Sequence, residues 1–121
     1  MDRMLLAIGS LSAALAVACG AFGAHALEAR LSPDRLATWD LAGRYHLSHS
    51  RASVLAALAA GLWPESPWPT RAAWAFLAGS VFFSGSLYLL ALSGIRWLGA
   101  ITPIGGVLFI GGWILLALAA R

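Results

Sequence analysis

Hydrophobic positions dominate four stretches of the chain, about residues 4–26, 45–63, 72–92 and 98–120, and polar positions collect between them. Each stretch is close to the roughly 20 residues that an α-helix needs to cross a hydrocarbon core of about 30 Å. The expected fold is therefore all-α, a four-helix transmembrane bundle made by a single integral-membrane domain over residues 1–121. The first run carries Ala16, Gly20 and Ala24 at helical spacing, which lets a neighbouring backbone approach closely. Two processing readings compete with it: cleavage after the "AHA" of residues 24–26, and a lipoprotein signal ending at Cys19. Ala16 fits poorly where a lipoprotein motif wants Leu, and the run outlasts an ordinary signal core, so the run is expected to persist as a membrane helix.

The loops punctuate this pattern. Ser32-Pro33-Asp34 offers a helix N-cap, a proline in the first turn and an acid near the positive end of the helix dipole. Leu36 and Trp39 then share a face opposed by Asp34 and Thr38, which predicts a short interfacial helix in the first loop, with a bend at Gly43 before the second span begins. "WPESPWPT" closes that span, because its prolines forbid a continuous helix while Trp63 and Trp68 suit the membrane interface. "SGIRW" predicts a tight turn between the last two runs.

Composition agrees with a membrane chain: 60% of residues are hydrophobic and 11% charged, with a mean hydropathy of +0.81. The formal charge of +3 comes from eight arginines and no lysine against five acids. The arginines flank apolar runs and are not interleaved with aromatics in a stripe, so nucleic acid is not an expected partner. The lone Cys19 can form no internal disulfide and reads as a small buried residue. With four crossings, Arg30, Arg35, Arg44 and Arg96 fall at one end and Arg3, Arg71 and Arg121 at the other. That excess of one arginine is expected to place the first end in the cytoplasm.

The candidate chemistry gathers at that same end. His25 closes the first run, Tyr45, His46 and His49 open the second, Ser84, Ser86 and Tyr88 lie in the third, and Thr102 lies in the fourth. Polar atoms at membrane depth are costly unless partnered, so His25, Tyr45, His46, His49, Ser84, Tyr88 and Thr102 are expected to form a polar layer between helices. At about 100° per residue, His46 and His49 share a face with Ala42 and Ser53, while Asp40, Arg44 and Arg51 fall nearly opposite. Three imidazoles suit a metal. No acid clearly joins them, however, and His46 and His49 stand three apart instead of at the commoner four-residue metal spacing. The expectation is a structural layer with no metal and no cofactor. Gly105, Gly106, Gly111 and Gly112 lack the G-x-x-x-G spacing and read as sites of close packing, and no set of nucleophile, base and acid is visible, so the chain is not expected to be an enzyme.

"GAFGAH", "YHLSH", "FSGSLYLLALSG" and "ITPIGG" followed by "GW" resemble the small bacterial membrane-protein family of YgdD and YwdK type, catalogued as domain of unknown function four-two-three. The resemblance covers nearly the whole chain. It implies a four-helix, multi-pass protein of the bacterial inner membrane with no assigned activity. Ser50-Arg51 departs from the small and aliphatic residues that usually follow the family's second histidine. The expected function is a non-enzymatic scaffold or accessory subunit, whose partners are the lipid bilayer and a second copy or another membrane protein. The alternative is a ligand-binding or proton- or ion-conducting protein, in which His25, His46 and His49 hold a metal, a quinone headgroup or protons.

Overall fold

The computed structural model describes residues 2–121. Helix α1 runs Arg3–Leu27, and Asp2 starts it by accepting hydrogen bonds from the amides of Met4 (3.0 Å) and Leu5 (3.2 Å). Helix α2 spans Pro33–Leu62, and its predicted cap is in place, with the Ser32 hydroxyl accepting from the Arg35 amide at 3.3 Å. Helix α3 runs Trp68–Ser93. It ends at Gly94, whose φ of 73° is the left-handed conformation that glycine adopts without steric cost. A 3-10 turn at Arg96–Ala100 leads into α4, Thr102–Leu118.

Three segments are long and apolar enough to cross a membrane: Arg3–Leu27, Trp68–Ser93 and Arg96–Leu118. Helix α2 is not one of them. The expected four-helix transmembrane bundle is thus corrected to an all-α protein with four long helices, three of them candidate spans. The physical reason lies in the composition of α2, where Asp34, Arg35, Asp40, Arg44 and Arg51 accompany two histidines and several serines. The predicted interfacial helix is also absent as a separate element. Residues 33–62 form one helix of 30 residues, unbroken at Gly43. The orientation expected from four crossings loses its footing when only three helices are candidate spans.

Helix α2 packs between α1 and α3, and α3 packs in turn on α4. Its inward face holds Ala42, His46, His49 and Ser53, whereas Asp40, Arg44 and Arg51 are exposed. Asp40 and Arg44 pair with each other at 3.1 Å. Leu5, Ala52, Ala56, Ala57, Ala72, Ala73 and Phe76 form a fully enclosed cluster, in which the alanines of α2 and α3 let those two backbones approach closely.

Arg35 fastens the first turn of α2 to the last turn of α3. Its Nε–H donates to the carbonyl of Ala91 and its Nη2–H to that of Leu92, both at 2.6 Å. Carbonyls of a final helical turn have no intrahelical partner, and a cation there also favours the negative end of the dipole. Arg35→Ala should therefore destabilise the protein by about 1 to 3 kcal/mol, with Arg35→Lys recovering only part because it lacks the planar fork. Melting temperatures in detergent would check this, and equal stability of Arg35→Ala and the parent would refute it.

Candidate functional site

Two irregular turns shape the interior. Residues Cys19–Gly23 of α1 and Val81–Gly85 of α3 are wound as π-helix, in which one extra residue shifts the backbone bonding. In α1 the Cys19 carbonyl accepts from the Ala24 amide and also from the Trp39 indole at 2.9 Å, so both lone pairs are used. Trp39 reaches this carbonyl across Gly23, where an added Cβ would stand 2.8 Å from the indole ring. Its other side rests on Tyr88, with ring centroids 4.6 Å apart. One tryptophan thereby joins α1, α2 and α3.

Below Trp39 a chain of hydrogen bonds crosses the same three helices. Ser50 and Ser12 share one at 2.6 Å, Ser12 and His46 Nε2 one at 3.1 Å, and His46 Nδ1 and the Tyr88 hydroxyl one at 3.0 Å. His46 is buried, as are Ser50 and Ser53. Both partners of the His46 ring are hydroxyls, so the geometry leaves its tautomer open.

His49 belongs to a different, tighter arrangement. Its Nδ1–H donates to the Tyr45 carbonyl at 2.8 Å, and its Nε2 accepts from the Trp113 indole at 3.2 Å. A carbonyl only accepts and an indole N–H only donates, so this ring is a neutral imidazole with its proton on Nδ1. The ring also lies flat against Phe109, at 3.6 Å between centroids and 10° between planes, while Phe76 sits edge-on to Trp113 beside it.

The residues singled out from sequence are thus divided among several places. His46 and Tyr88 meet directly. Tyr45 touches His49 through its carbonyl, while its ring stacks at 5.9 Å from the imidazole and lies 42% exposed. Thr102 bonds to Ser86 at 2.7 Å, joining α4 to α3. Ser84 is buried, yet its hydroxyl finds no partner among the described residues. His25 is exposed in the last turn of α1, and its ring makes no hydrogen bond among the described residues. The three imidazoles therefore do not converge, and no three His, Cys, Asp or Glu side chains gather among the described residues. Sequence reasoning missed Ser12, Ser50 and Trp113. Ser12 was within reach, because it falls at helical spacing between Gly9 and Ala16, which with Leu5 form the buried stripe of α1.

Residues 19–106 match the family described as Protein of unknown function (DUF423). The chain belongs to that family. It is 45% identical over 117 residues to the UPF0382 membrane protein of Staphylococcus aureus strain USA300, covering 97% of this chain and 94% of that one. Its identity to the UPF0382 membrane protein of the bovine strain RF122 / ET3-1 is 44% over the same coverage. No solved structure matches the chain. Family membership and the three apolar helices together make this DUF423 chain a membrane protein. The matched segment includes His46, His49, Tyr88 and both π turns but leaves out Ser12 and Trp113, which supply the second ring nitrogen of each buried histidine with its partner.

Proposed function

We propose that this DUF423 protein is a non-enzymatic, multi-pass scaffold or accessory subunit of the bacterial inner membrane, and that its buried histidines hold helices together. One observation carries the reading: all four ring nitrogens of His46 and His49 are taken up by partners within the chain. A general base or a metal ligand needs a free lone pair aimed at substrate or ion, and His49 has none left. The outward faces are rich in large apolar side chains, including Leu11, Phe22, Val81, Val107 and Ile110, each more than three-fifths exposed. Such faces suit lipid or another membrane helix.

Solubilisation from its native membrane in mild detergent, followed by light scattering, elemental analysis and an absorption spectrum, tests the proposal. A scaffold or accessory subunit should run at a protein mass above the 12.7 kDa of one chain and carry no stoichiometric metal and no chromophore that absorbs visible light. A lone chain bearing either one overturns it.

A further inference from the structure

We propose that a cleft between α1 and α3 binds a neutral quinone- or quinol-type ring carried on a lipophilic tail. The cleft has a volume of about 550 Å³, with Ile8, Leu11 and Val81 among its apolar walls; Ser12, His46, Tyr88 and Ser80, whose hydroxyl already donates to the Phe76 carbonyl, provide its polar lining. This site goes beyond the scaffold reading and does not depend on it.

The chemistry of the occupant follows from three features. The first is access. Ile8, Leu11 and Val81 are 36%, 70% and 68% exposed, and they lie well inside the candidate spans Arg3–Leu27 and Trp68–Ser93. The cleft therefore opens toward hydrocarbon, and what enters it must be soluble there. The second is charge. No charged side chain lines the cleft, so an anionic lipid headgroup or a metal ion would lose its hydration without gaining a counter-charge.

The third feature is a surplus proton. Ser50, Ser12, neutral His46 and Tyr88 bring four exchangeable protons to three hydrogen bonds. If the bonds run toward Ser50, Tyr88 donates to His46 and its oxygen remains free to accept. If they run toward Tyr88, His46 donates to the phenol oxygen and the phenol proton is left with only the weakly accepting Cys19 sulfur, which a ligand oxygen can replace. The first state can receive a ligand hydroxyl and the second can meet a ligand carbonyl. His46 can switch between them because both of its partners are hydroxyls, whereas His49, between a carbonyl and an indole, cannot. A quinone and its quinol are the lipid-soluble pair that presents those two oxygens on one ring. Binding alone is proposed, with no electron transfer.

The full-length protein in phosphatidylcholine nanodiscs, titrated with tritiated decylubiquinone and with the same compound reduced to its quinol, tests the site. Saturable binding of both forms, at one per chain above that of empty nanodiscs, is expected. Tyr88→Phe should weaken it about tenfold, the effect of one lost hydrogen bond to a buried partner. Val81→Trp should abolish it by filling the cleft, and because Val81 is exposed this variant should keep the parent's melting temperature. Binding no greater than in empty nanodiscs, undiminished binding in Val81→Trp, or displacement by 1-dodecanol at the affinity of the quinone would each overturn the proposal.

Discussion

Gly105→Val is expected to abolish the yield of monodisperse protein in detergent, while Gly111→Val leaves yield and melting temperature at the level of the parent. A Cβ at Gly105 would overlap the backbone amide of Phe83 and stand 2.6 Å and 2.7 Å from its Cβ and Cα. Backbone held in a helix cannot swing aside as a side-chain tip can, so α3 and α4 would have to separate. Gly79 shows the same closeness from the other helix, since a Cβ there would lie 3.2 Å from the Gly105 carbonyl oxygen and 2.5 Å from the Phe109 ring. Helices in a membrane gain little from hiding apolar surface and depend on close packing, which a forced gap removes along the whole contact. Overpacking of an interior costs about 1 to 3 kcal/mol where side chains can adjust, and more where they cannot. Nothing lies within 4 Å of a Cβ at Gly111, so the same substitution there controls for the valine itself. A folded Gly105→Val with the parent's melting temperature would show that α3 and α4 do not pack as described.

Much of this fold is legible in the sequence, and its failures have physical causes. The start of α2 at Ser32-Pro33-Asp34 and the turn at Gly94 are local devices that need no partner to be recognised. Helix α2 misleads because Asp40, Arg44 and Gly43 look like the end of an interfacial segment. The helix nevertheless continues through them, with Trp39 and Ala42 buried on one side and the charged pair exposed on the other. Its shortfall in hydropathy has the same origin, for Ser50, Ser53, His46 and His49 can sit in an interior where partners satisfy them. The π turns have no compositional signature. Only the Trp39 bond to Cys19 reveals what the turn in α1 accommodates. In the candidate site, helical period finds the shared face of His46 and His49, but depth alone is a poor guide to His25. That residue follows buried Ala16 by nine positions, about half a turn around an ideal helix. Trp113 is hidden from sequence for another reason: its bond to His49 spans 64 residues, and no local pattern encodes it.

His49 is expected to show the other large effect, and two substitutions there separate packing from hydrogen bonding. His49→Ala removes the ring stacked on Phe109, opens a cavity between α2 and α4, and leaves the Trp113 N–H without its acceptor. His49→Phe keeps a flat ring of similar size and removes only the hydrogen-bonding atoms. The unpaired indole costs about 1 to 3 kcal/mol by the measure of soluble interiors, but hydrogen bonds between membrane helices average nearer 0.6 kcal/mol. Loss of a buried ring adds about 3 to 5 kcal/mol when the surroundings cannot collapse. Packing should dominate, so the melting temperature should fall much further for His49→Ala than for His49→Phe. Trp113→Phe in the His49→Phe background should then cost little, because the N–H it removes is already unpaired. If His49→Phe instead melts as low as His49→Ala, the bond to Trp113 holds α2 against α4, and the aromatic stack is incidental.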